Sequence, residues 1–108
     1  PMAARRFYEK VLIKINEIWI YDLYLITLEI INNALKHGKA KTICVELFGY
    51  PDEYLLQFTD DGRGFDTNAI PKGFGLETIE RRILLYKGVF EINSNVNQGT
   101  IIQISIPK

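Results

Sequence analysis

Cysteine is almost missing from this sequence: Cys44 stands alone, so no internal disulfide can brace the fold. Sparse cysteine suits a reducing, cytoplasmic setting, and the apolar run around Cys44 predicts a buried strand thiol. Net charge is missing too, because 13 Lys and Arg balance 13 Asp and Glu. No overall positive field therefore draws in nucleic acid or an anionic membrane, and any recognition of phosphate has to be local. No apolar run approaches the ~18 residues of a membrane span, and the N-terminus lacks a signal-peptide pattern, which predicts a soluble piece without direct membrane contact. Two nucleotide signatures are absent: the Gly-Lys-Ser/Thr ending of a P-loop and the glycine fingerprint of a dinucleotide-binding βαβ unit.

What remains is a balanced chain of 108 residues, 47% hydrophobic and 24% charged, enough for one compact domain with one core. Apolar residues at Phe7, Val11, Leu12, Ile15, Ile18 and Trp19 predict a first helix over residues 5–19. Asp22 then reads as an N-cap for a second helix running to His37, closed by Gly38 in a left-handed C-cap. Residues 41–48 and 53–59 read as a hairpin around Gly49-Tyr50-Pro51-Asp52. A loop rich in Gly and Asp leads to a helix over 76–87 that Gly88 terminates, and strands at 89–93 and 100–106 complete the chain. The order predicts an α+β fold, a two-layer α/β sandwich with a mixed, mostly antiparallel sheet and its helices on one face. Residues 1–20 read as a helix or linker from a preceding domain, and 21–108 as the functional domain.

The second predicted helix carries Glu29, Asn33 and His37 at i, i+4 and i+8, a narrow polar stripe with apolar residues on both sides. Such a stripe either borders a cleft, where a Glu and an Asn one turn apart offer hard oxygen ligands to Mg²⁺, or is a solvated strip on a half-exposed helix. Downstream, Asp60-Asp61-Gly62-Arg63-Gly64 leaves a strand and turns glycine-rich. A carboxylate at a strand end can accept a hydrogen bond from an exocyclic amine such as that of adenine; a plain tight turn is the other reading. Lys72-Gly73-Phe74-Gly75-Leu76 opens the last helix, either as an anion site of freed backbone amides or as a loop before a helix start.

Together these stretches resemble the motifs of the GHKL ATPase superfamily. Glu29-Ile-Ile-Asn-Asn33-Ala-Leu-Lys-His37 is similar to its N-box, Asp60-Asp-Gly62-Arg-Gly64-Phe65 to its first glycine box and Gly73-Phe-Gly75-Leu76 to its second. The order and spacing, with Gly75-Leu-Glu-Thr-Ile-Glu-Arg-Arg82 and Gln98-Gly-Thr100, most resemble the catalytic ATP-binding domain of a bacterial sensor histidine kinase. The resemblance implies a Bergerat fold that binds ATP and Mg²⁺. It implies that Asn33 coordinates the metal and that Glu29 positions or deprotonates the attacking group. Lys36 and His37 would approach the phosphates or ribose, and Asp60 the adenine amine, with Thr100 assisting through water. Gly62 and Gly64 would let the backbone pass the base, while Gly73, Gly75 and Leu76 would hold the triphosphate. Arg63, Arg81 and Arg82 are expected to be solvated or packing residues.

Few residues separate the glycine boxes, which implies a short lid. The only histidine is His37, inside the N-box, and the resemblance implies a phospho-acceptor histidine on a dimerisation domain of the same full-length protein, with a response regulator downstream. The protein as a whole is then expected in the cytoplasm or as the cytosolic part of a membrane-bound sensor. Two further readings compete: an anti-sigma-factor-type serine kinase and a non-catalytic nucleotide-binding or interaction module.

Overall fold

The computed structural model describes residues 17–67 and 75–108. Helix α1 spans Glu17–Asn32 and continues as a π-helical turn, Asn33–His37. Strands β1 (Ile43–Gly49) and β2 (Glu53–Asp60) precede helix α2 (Leu76–Leu85), followed by β3 (Val89–Ser94) and β4 (Thr100–Pro107). Most of the helix predicted over residues 5–19 lies outside the described residues, as does Gly73.

All three strand pairings are antiparallel, in the order β1-β2-β4-β3. The two predicted hairpins thus join through β2 and β4, strands far apart in sequence. Alternation then sorts the side chains: Leu56 and Phe58 of β2 pair with Ile104 and Ile102 of β4, and all four are buried. Ile26 and Ile30 of α1 and Leu76, Ile79 and Ile83 of α2 complete the core against that one face. Each fully buried isoleucine contributes about 1.5–3 kcal/mol relative to exposure. The opposite face carries the polar members of the alternation, with Gln103 Nε2 donating to Gln57 Oε1 at 2.8 Å.

Four local expectations are corrected by packing. Cys44 is exposed, because β1 is an edge strand and the thiol lies on the face without helices. Asp22 is an interior residue of α1, where its carboxylate accepts hydrogen bonds from Arg82 Nη1 at 3.0 Å and from the Tyr86 hydroxyl. Gly38 has right-handed backbone (φ −83°); the left-handed position is Lys39, at φ 53°. Leu28 and Leu35, expected with the apolar flanks of the polar stripe, face solvent.

The end of α2 repeats the third lesson. Gly88 N–H donates to Ile83 O and Lys87 N–H to Leu84 O, both at 3.0 Å, which is a Schellman pattern with Lys87 at the left-handed position (φ 58°). A side chain there costs roughly 1–2 kcal/mol that glycine avoids, offset in part by glycine's greater unfolded-state freedom. Lys87→Gly is therefore expected to raise the melting temperature by a few degrees. A melt followed by circular dichroism checks it, and an unchanged or lower midpoint contradicts it.

Candidate functional site

The site begins where α1 stops being an ordinary α-helix. Over Asn33–His37 the bonding shifts to π, so that Gly38 N–H reaches back to Asn33 O at 2.9 Å, and Ala40 N–H closes the end on Ala34 O at 2.9 Å. Such one-turn widenings accommodate an extra residue and concentrate at functional positions. Here Asn33 and His37 line the same hollow, one π turn apart.

That hollow lies at one end of the sheet, between α1, the ends of β2 and β4 and the start of α2. Its polar rim includes Asn33, His37, Asp60 and Thr100, and Gly64 and Leu76 also line it. Ile43, Phe58, Ile92 and Ile102 give it apolar walls. Asp60 pairs with Ile43 on one side and Thr100 on the other, and Thr100 pairs with Ser94, so strand register alone collects the carboxylate and two hydroxyls at one edge.

Asp60 Oδ1 accepts the Gly62 N–H at 2.8 Å, which fixes the carboxylate at the strand end. Burial pushes its pKa above the ordinary carboxylate range; the Gly62 bond works against that shift, and neighbouring Asp61 adds to it. Asp61 has a different task. Its Oδ1 accepts the backbone N–H groups of Thr42 and Lys41 at 2.9 and 2.8 Å, bonds that hold its pKa below the usual value and clip the loop to the start of β1.

Ser94 links the glycine loop to the end of the sheet. Its hydroxyl oxygen accepts Phe65 N–H at 2.9 Å and its proton goes to Gly99 O at 3.0 Å, so in the 2.7 Å contact with Thr100 the threonine donates. Thr100 is thereby left as an acceptor toward the hollow it lines. Sequence reasoning placed Ser94 in the turn; its only signal was a hydroxyl residue facing Thr100 across a short hairpin. The loop is stitched to the helix side as well, by Arg63 N–H to Gly38 O at 2.7 Å. A side chain on Gly62 would come within 2.6 Å of that same carbonyl.

Of the other predicted residues that the structure describes, Glu29, Lys36, Gly62 and Gly75 are not among the residues that line the hollow. Lys36 is exposed and is not among its lining residues. Glu29 and Gly75 meet instead in a neighbouring groove between α1 and α2, with Ile26, Ile79 and Arg82. Gly75 sits at φ 68°, and its missing side chain leaves the space into which the Glu29 carboxyl group fits. Among the described residues no side chain caps the start of α2, and the first α-helical bond is Ile79 N–H to Gly75 O at 3.1 Å. The leading amides of α2 are thus the kind of donors an anion satisfies.

The chain is 35% identical to the sensor protein VraS of Staphylococcus haemolyticus over 86 residues, 79% of this chain, and spans about a quarter (25%) of that protein. With VraS of Staphylococcus saprophyticus the identity is 34% over the same length. The fold is also that of the Acinetobacter baumannii histidine kinase AdeS, with a TM-score of 0.70 at 21% identity over 81% of this chain and 46% of that one. The ATP binding domain of PrrB from Mycobacterium tuberculosis superposes with a TM-score of 0.66 at 21% identity, covering 81% of this chain and 67% of that one. Residues 20–108 match the sequence family of histidine kinase-, DNA gyrase B-, and HSP90-like ATPases, and with its Asp60 edge and π-turned Asn33 in place the chain belongs to that family.

Proposed function

We propose that this chain is the ATP-Mg²⁺-binding catalytic domain of a sensor histidine kinase, which passes the γ-phosphate to a histidine on a dimerisation domain outside residues 1–108. The observation that carries the reading is that Asp60 and Asn33, on different elements, line one hollow with apolar walls. An apolar slot with an acid at one edge suits a purine, whose ring is desolvated cheaply while its exocyclic amine needs an acceptor. Asp60 accepts from that amine, and Thr100, whose own proton is committed to Ser94, accepts from a bridging water.

Asn33 and His37 then face the sugar and phosphates, and the uncapped amides of α2 beginning at Leu76 take the far end of the triphosphate. Gly73 would extend that phosphate loop. Among the described residues no cluster of three His, Cys, Asp or Glu side chains could cage a metal. Mg²⁺ needs none here, since it keeps several waters and binds through one or two protein oxygens plus the phosphates, which the Asn33 amide and nearby Glu29 fit. When bound it neutralises charge on the transferring phosphate. Glu29, in the groove beside the hollow, is placed to orient or deprotonate an incoming acceptor.

The sensor proteins among the relatives support a histidine acceptor over a partner's serine, and a response regulator as the next recipient. No described helix is long and apolar enough to cross a membrane. We place the domain on the cytoplasmic side of the full-length protein.

The test is titration calorimetry with ATP, with and without Mg²⁺, followed by incubation with labelled ATP and the separately produced dimerisation domain. Mg²⁺-dependent binding and an acid-labile phosphate on that domain are expected, with slow turnover by this chain alone. Acid-stable phosphate on a partner's serine would point to the anti-sigma-factor-type reading, and no ATP binding would leave only a non-catalytic module.

A further inference from the structure

α1 and α2 touch at two places with matching spacing. Glu29 meets Gly75, and seven residues away on each helix Asp22 meets Arg82, earlier along α1 and later along α2. Between them Ile26 and Ile79 are fully buried, so the helices run antiparallel as one packed unit. The far contact is polar and ordered. Asp22 accepts Arg82 Nη1 at 3.0 Å on one carboxylate oxygen and the Tyr86 hydroxyl on the other, and that bond pushes the Tyr86 pKa up to about 12. The Asp22 side chain is only 16% exposed. None of the three residues lines the nucleotide hollow.

We propose that Asp22, Arg82 and Tyr86 are positioning residues for phosphoryl transfer. Their network fixes the pitch of α2 on α1, and α2 carries at its other end both the uncapped amides and the glycine that admits the Glu29 carboxylate. Loosening the far end of a rigid helix swings its near end. The result is a misplaced phosphate site while the adenine edge, built from β2 and β4, stays put. A network that served only stability would weaken every ligand alike or none. This inference rests on the proposed ATP reading of the hollow.

The experiment compares Mg²⁺-ATP with adenosine as probes of the whole chain, by titration calorimetry at a temperature where each variant is folded. Arg82→Met is expected to weaken Mg²⁺-ATP binding roughly tenfold and to leave adenosine binding within twofold of the unsubstituted chain. Arg82→Lys should recover most of the loss. Tyr86→Phe keeps the ring and removes the hydroxyl that donates to Asp22, so it should show the same selective loss, smaller in size, even if Arg82→Met fails to fold. Equal losses for both probes, or no loss in either variant, would overturn the proposal. An unsubstituted chain that binds neither probe would overturn the ATP reading itself, a result separable from failure of the helix clamp.

Discussion

Asp60→Asn is expected to reduce ATP affinity by about 100-fold or more while the fold melts no earlier than the unsubstituted chain. Loss of affinity follows from chemistry. An ionised carboxylate accepting from the exocyclic amine makes a charge-assisted bond worth about 1.5–3 kcal/mol, and the amide that replaces it can turn a donor toward another donor, which adds a desolvation penalty. Retained stability follows from the direction of the pKa shift. Burial raises the Asp60 pKa above its usual value of 3.8, so the folded chain binds that proton more tightly than the unfolded chain does. The stabilisation from this group is complete below the unfolded value and disappears as pH rises through the raised folded value. At neutral pH the ionised side chain therefore works against folding. Asparagine removes the charge and can still accept the Gly62 N–H. The same shift predicts that ATP affinity falls on acidification at a pH above the ordinary carboxylate range, because protonated Asp60 loses its charge-assisted acceptor. Calorimetry from pH 7 downward, beside melts of both proteins, checks each part; equal ATP affinity for both proteins would remove Asp60 from the purine edge.

The pairing of a proposed binding role with mild destabilisation at Asp60 explains why several residues that line the hollow were readable. Asn33 is a residue type that folding alone does not favour on an apolar helix, and Asp60 and Gly64, which a plain turn also explains, became informative by following it in order. The sheet was readable for the opposite reason: Leu56, Phe58, Ile102, Ile104 and Ile106 alternate because one face is buried, and the pattern repeats what packing demands. What escaped was geometry that leaves no mark on residue type. The π turn at Asn33–His37 adds one residue to a helix whose apolar spacing still reads as a regular α-helix, and the packing of α2 against α1, which puts Glu29 in a different groove from Asn33, leaves no mark on spacing either. Glycine next to lysine misled at Gly38, while Gly88 does terminate its helix, through its N–H to Ile83 O. At 38–39 and at 87–88 the lysine takes the left-handed backbone and the glycine does not. Asp22 looked like a cap because it follows an apparent break after Trp19; its real partners, Arg82 and Tyr86, lie 60 and 64 residues away.

Gly64→Ala and Gly75→Ala make a pair in which the same methyl group has different consequences. Both glycines have positive φ, 63° and 68°, so each substitution costs roughly 1–2 kcal/mol before any contact is counted. At Gly64 the methyl meets backbone: the carbonyl of Asn95, and that of Gly99 at 2.7 Å. These oxygens are backbone and already bonded, Gly99 O to the Ser94 hydroxyl and Asn95 O to the Gln98 N–H, which adds overpacking to backbone strain. Gly64→Ala is expected to destabilise the domain by about 3–5 kcal/mol and to lower its melting temperature by more than about 10 °C. At Gly75 the atoms nearest the methyl all belong to the Glu29 side chain, whose Cδ stands 2.7 Å away and can rotate off. Gly75→Ala should therefore fold, bind adenosine normally and lose transfer activity, because the carboxylate is displaced from beside the phosphate end. Glu29→Ala combined with Gly75→Ala removes the collision, so the double variant should melt higher than Gly75→Ala alone while remaining unable to transfer phosphate. Two outcomes would contradict this assignment of the glycines: a Gly64→Ala chain that melts with the unsubstituted protein, or additive losses of stability in the Glu29 and Gly75 double variant.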